Sequence, residues 1–155
     1  MRKAAFAAGL VTVLVLGAVL AGAAFGGDRV TAPLRVRVIE HATTDRVIDT
    51  GKTGDTPGDL LTWHNVLYNG ANTKPVGHDQ GDCIRISPKG GSWECRWINW
   101  IPGGSITVEG AFYDTEDSVL PITGGTGMYR NARGTMELVS RKGGAEYAFI
   151  FNVIP

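Results

Sequence analysis

Beyond its first 27 residues the chain lacks any stretch in which apolar residues recur at helical spacing over a useful length, so a helical fold is excluded. It also lacks a basic run or an aromatic-basic stripe of the kind that tracks phosphates, which argues against nucleic acid as a partner. Charge is balanced at 15 basic and 15 acidic residues over the 155-residue chain. There are only two cysteines and three histidines. The spacing of His41, His64 and His78 matches no metal-ligand pattern, and no metal or cofactor is expected. A Ser-His-Asp set has no support. The glycines of Gly124-Gly125-Thr126-Gly127 are followed by neither Lys-Ser/Thr nor a helix, so they read as a turn and not as a phosphate loop.

What is present begins with Met1-Arg2-Lys3 and an uncharged run from Ala4 to Phe25 that closes on Ala21-Gly22-Ala23-Ala24. A positive start, an apolar middle and a small-residue tail describe a secretory signal over residues 1–27. The alternative is a retained anchor, since the run approaches the roughly 20 residues that span a bilayer. Either reading sends the domain out of the cytosol, secreted or membrane-anchored on the extracytoplasmic side, and cleavage would leave no membrane contact. Without Arg2 and Lys3 the chain carries 13 basic and 15 acidic residues, which suits a small or neutral partner. A pair of cysteines in an exported protein is expected to be oxidised.

Residues 28–155 read as one all-β domain. Leu34, Val36 and Val38 alternate with Arg35 and Arg37 as a first strand. Residues 43–59 are a polar connection rich in Thr, Asp and Gly. Strands are then expected at Leu60–Tyr68, Gly81–Ser87, Trp93–Ile101, Ser105–Tyr113, Val119–Ile122, Tyr129–Ser140 and Glu146–Ile154, with turns at Asn69-Gly70, Pro88–Ser92 and Pro102–Gly104. Strand number and spacing serve a barrel and a sandwich equally. If the hairpin loop centres near Lys89, Cys83 and Cys95 lie six residues to either side of it and face each other, placed for a cross-strand disulfide.

Gly58-Asp59-Leu60 with Asn65, Leu67-Tyr68 and Gly70 resembles a segment of the allene oxide cyclases. The likeness continues through Val76-Gly77, Gly81-Asp82-Cys83, Glu116-Asp117 and Ile122–Gly127. Gly124-Gly125-Thr126-Gly127, the aromatic Tyr129 and Ala132-Arg133-Gly134 are similar to the dirigent proteins. The resemblance implies an eight-stranded antiparallel β-barrel with a largely apolar interior, often a trimer in plants. Such barrels act on small molecules mainly by confinement.

By that resemblance Glu40 falls on a cavity glutamate, Asn65 on an asparagine that helps hold a water, and Cys83 on a cavity cysteine. Arg133 keeps the dirigent-like Ala-Arg-Gly residue. Ala42 replaces a second water-holding asparagine and a nearby proline is lost around Asp49, so the polar set for allene oxide cyclisation is incomplete. From the residues themselves, Glu40 shares a face with Leu34, Val36 and Val38, so either its carboxylate is partly buried or the strand ends there. Arg130 and Arg133, three apart, would face opposite sides of a strand. Trp93, Trp97 and Asn99 share the face of Cys95, while Arg96, Ile98 and Trp100 share the other. If the cysteine face is inward, the first set lines a cavity or simply fills the core. The expected function is an exported barrel that binds a hydrophobic small molecule and guides its cyclisation, isomerisation or stereoselective coupling, with Glu40 and Asn65 as polar handles. The alternatives are a carrier barrel without catalysis and a filled, structural one.

Overall fold

The computed structural model describes residues 33–154; the expected signal segment lies outside the described residues. Nine strands form one antiparallel sheet: β1 (Leu34–His41), β2 (Arg46–Ile48), β3 (Leu60–Asn69), β4 (Pro75–Ser87), β5 (Ser92–Ile101), β6 (Gly104–Tyr113), β7 (Ser118–Gly125), β8 (Arg133–Arg141) and β9 (Glu146–Ile154). From β3 to β9 each strand pairs with the next in sequence. β1 then joins β9 on one edge and β3 on the other, so eight strands close into a barrel and β2 is an extra strip on β3.

The alternation read from the sequence sets which side faces in. Along β5, Trp93, Cys95, Trp97, Asn99 and Ile101 are buried and Glu94 and Arg96 are exposed, so the cysteine face is the inner one. A slip of one residue would reverse every side chain, and burial of this row therefore fixes the register. The core is packed tightest around Phe151, Leu67, Ile106, Leu120 and Met136, none of which has any exposed surface. The chain turns that close this end include a short 3-10 segment, Gly127–Tyr129, where the Tyr129 hydroxyl donates to the Pro102 carbonyl at 3.0 Å.

Several boundaries differ from the sequence reading. β7 runs on through Gly124 and Gly125, which pair with Thr107 and Ile106 of β6, so the turn expected at Gly124–Gly127 begins only after Gly125. The connection 43–59 contains β2, whose three residues are all exposed. β4 begins at Pro75 and not at Gly81, because its glycines are strand residues. A Cβ on Gly77 would strike the Trp100 carbonyl, and one on Gly81 would strike Trp97 and Trp63, so glycine stands where neighbouring strands and indoles come close. β8 starts at Arg133, since Gly127, with φ of 60°, turns the chain into the 3-10 segment. Arg130 and Arg133 thus do not share a strand.

Cys83 and Cys95 are direct partners in the β4–β5 register and are disulfide-bonded, with their Cα atoms 4.0 Å apart. The bond links positions only 12 residues apart. Constraint of so short a loop in the unfolded chain is worth at most about 3 kcal/mol. Reduction should lower the free energy of unfolding in urea by that order while leaving the far-ultraviolet circular dichroism of the folded state intact; an unchanged value would show that the strands hold register without the bond.

Candidate functional site

The site lies where the barrel closes. β3 carries two partners along one edge: Val66–Asn69 pair with β1 and Leu60–Thr62 pair with β2. Between them, Trp63, His64 and Asn65 have no ladder partner on that side, and side chains take over the bonding. The His64 amide donates to the Thr44 hydroxyl at 2.8 Å, and that hydroxyl lies 2.9 Å from the His64 carbonyl. The Asn65 carboxamide oxygen accepts the amides of Thr43 and Thr44, both at 3.0 Å. Its Nδ2 donates to Glu40 Oε1 at 2.9 Å and to Asp45 Oδ1 at 2.6 Å. Asn65 therefore ties the crossing chain down and orients two carboxyl groups at once.

Asn65, Asp79 and Asn99 stand side by side across β3, β4 and β5, all fully buried on the inner face. Asp79 Oδ2 receives the Trp63 indole N–H at 3.4 Å, but Asp79 Oδ1 and Asn99 Oδ1 receive no donor from the protein. Glu40, only 5% exposed, is close enough to Asp79 for the two carboxyl groups to repel when both are charged. Buried carboxylates so placed do not readily ionise together. Burial first, and then the negative charge of Asp79, hold the Glu40 carboxyl well above the usual carboxylate range. Burial likewise pushes Asp79 up to about 7. With both raised by burial, the pair favours its protonated forms near neutrality.

Glu40 lines a cavity of about 60 Å³ inside the barrel, beside the packed core. Trp63, Trp97, Phe112, Tyr147 and Phe149 form much of its wall, together with Leu61, Leu138 and the disulfide. Exposed Asp45 and partly exposed Leu61, Trp63, Phe112 and Tyr147 mark its mouth. The two indoles meet edge to face at 5.6 Å across the gap left by Gly81, which is the register partner of both tryptophans. Trp97 is buried, and its Nε1–H has no acceptor in the protein. A volume of this size accepts a few waters or one end of a guest, so a larger ligand would extend through the mouth.

Of the residues singled out from sequence, Glu40, Trp97, Cys83 and Cys95 line this cavity, and Asn65 holds Glu40 from the side. Trp93 and Asn99 are inward but do not line it. Trp93 donates to Asp114 at 2.8 Å beneath the Arg85 guanidinium, which lies 4.5 Å from its ring and is paired with Asp55 and Asp114, so it belongs to the plug of that end. Asn99 donates to the Ile106 carbonyl at 3.3 Å. Arg133 is exposed and bonds the Ala132 carbonyl at 2.8 Å; it lies outside the cavity wall because Ala132 takes the buried position. Asp79, Asp45, Trp63 and Tyr147 enter the site without having been singled out. Among the described residues no three His, Cys, Asp or Glu side chains converge as metal ligands.

Solved structures share this fold. A pyocyanin demethylase superposes with a TM-score of 0.66 at 23% identity, covering 76% of this chain and 100% of that one. AbnU, an exo-specific intermolecular Diels-Alderase, gives 0.63 at 15%, over 79% and 98%. The pterocarpan synthase dirigent protein PsPTS1 gives 0.61 at 17%, over 78% and 96%. At these identities the likeness is one of architecture. The allene oxide cyclase family model matches residues 38–142, which run from the strand that bears Glu40 to the end of β8 and make up more than half of the sequence, and the chain belongs to the allene oxide cyclase family.

Proposed function

We propose that this barrel takes a hydrophobic small molecule into the cavity behind Asp45 and guides its cyclisation, isomerisation or coupling by confinement, with Glu40 as the acid. The observation that carries this reading is a pair of buried carboxyl groups, Glu40 and Asp79, whose burial favours the protonated form, with Glu40 in the wall of an aromatic-lined cavity. A carboxyl kept neutral near pH 7 can donate a hydrogen bond or a proton to an oxygen or carbon of the guest and take the proton back from the rearranged product, so the step consumes nothing. Asn65 holds Glu40 in place, and the walls limit the guest to few conformations, which lowers the entropic part of the barrier. Members of this architecture include a demethylase, a Diels-Alderase and a dirigent protein, three activities on small molecules. The disulfide in the cavity wall and the leader-like N-terminal sequence support work outside the cytosol.

Native mass spectrometry of the protein purified from its own host should show a small co-purifying molecule. With that molecule or its precursor as substrate, Glu40→Gln should lower turnover by about 100-fold or more while binding persists. Full turnover in the Gln variant would remove Glu40 from the chemistry, and binding with no product in the wild type would leave a carrier.

A further inference from the structure

The three histidines, far apart in sequence, come together on the outer face of the barrel around Val66. His41 of β1 and His78 of β4 are the register partners of Val66 on its two sides, and His64 follows on the same face of β3. His41 is already engaged. Its ring stacks on Tyr68 at 4.1 Å, and its Nε2 lies 2.8 Å from Asn72 Oδ1 and 3.4 Å from Glu146. His64 and His78 remain available: their ring centres are 5.1 Å apart across β3 and β4, and among the described residues neither imidazole has a hydrogen-bond or ion-pair partner.

That separation suits a shared metal ion. An imidazole nitrogen binds zinc at about 2.0–2.1 Å and its ring centre lies ~1.1 Å further back, so two rings on one ion at the tetrahedral angle have centres about 5.1 to 5.2 Å apart. A right angle would bring them to about 4.5 Å. Both positions are held by their surroundings. The His64 amide and carbonyl are tied to the Thr44 hydroxyl, and the His78 ring stacks on Trp100 at 4.8 Å, within 18° of parallel. His64 is exposed, so its ring is free to rotate until one nitrogen of each imidazole meets the same ion. Among the described residues no third His, Cys, Asp or Glu joins the pair, which leaves the remaining positions of the ion to water. We propose that His64 and His78 bind one divalent transition-metal ion of the copper and zinc class on the outer face and through it cross-link β3 to β4. Imidazole suits these ions, whereas calcium and magnesium demand oxygen ligands. The site is separate from the cavity, and its failure would leave the small-molecule reading untouched.

Copper(II) and zinc chlorides, titrated calorimetrically into the tag-free protein with its disulfide intact, should each fill one site, copper the more tightly. The copper form should give an electron paramagnetic resonance spectrum split by two imidazole nitrogens. His64→Ala and His78→Ala should each weaken copper binding by about tenfold or more, and His41→Ala should leave it unchanged. Acidification should release the ion, because protons compete for the same nitrogens, and excess magnesium should not displace it. Splitting by a single imidazole, copper binding that survives both substitutions, or no uptake by the wild type would each overturn the proposal. The wild-type spectrum decides the matter even if a variant does not fold.

Discussion

Between about pH 4 and pH 7 the wild-type barrel should lose roughly 3 to 4 kcal/mol of stability that its Asp79→Asn variant keeps, by the linkage of proton binding to folding. Asp79 titrates near its ordinary 3.8 when unfolded and at about 7 when folded, because burial penalises its charge. Over that interval the folded state binds a proton that the unfolded chain has released. Stability from this group is therefore complete below about 4, falls as pH rises, and is gone once pH passes about 7. Asp59 and Glu146 act in the opposite sense. The Thr56 and Thr50 amides hold Asp59 down, and the Lys142 ammonium holds Glu146 down, so both lose stability as the solution becomes more acidic. The informative quantity is accordingly the difference between variant and wild type across a series of urea titrations. A variant curve parallel to the wild type would mean that Asp79 gains no proton on folding in this range.

Phe151→Ala should destabilise the barrel by about 3 to 5 kcal/mol, the range for deletion of a fully enclosed aromatic ring. Phe151 is completely buried, lies between Val36 and Met136 in the register of β1, β9 and β8, and meets Phe149 edge to face at 6.4 Å. The main chain around it is locked on both sides by strand pairing, so collapse into the vacated space is restricted and the cavity term persists. Ile86→Ala is the control, since Ile86 is 55% exposed on the outer face of β4 and its loss should fall within about 0.5 kcal/mol. Equal midpoints for the two variants in urea would show that the packed half of the barrel contributes little to its stability.

The strands were readable from sequence because their causes are local. Alternation along Trp93–Ile101 and the turn at Pro88–Ser92 put Cys83 opposite Cys95 without reference to the rest of the chain. Depth along the barrel was not readable. A period of two tells which side a residue faces, yet Trp93 and Asn99, on the same side, stand about 20 Å apart at the usual rise per residue. One meets the polar plug of Arg85 and Asp114, the other the packed core, and Cys95 and Trp97 between them reach the cavity. Asp79 was hidden for a second reason. Pro75-Val76-Gly77-His78-Asp79-Gln80-Gly81 has no apolar alternation, because its inner positions are Gly77, Asp79 and Gly81, so the first half of β4 has the composition of a loop. Its contact with Glu40 depends on the register of β1, β3 and β4 together, which no single window contains.

The ring of strands also imposes an order in time. β3, β4, β5 and β6 are successive hairpins and can pair as soon as each is made. Glu40 can pair early on one side only, through Leu67 of β3; the other side of its strand is held by β9, with Leu34 opposite Val153 and Glu40 opposite Tyr147, partners that come from the far end of the chain. Until that last strand is synthesised and docked, the barrel stays open beside Glu40 and water reaches its carboxyl group. The incomplete chain is thus more highly charged near neutrality than the finished barrel. A truncated or half-folded copy carries both carboxyl groups without the enclosure that favours their protonated forms.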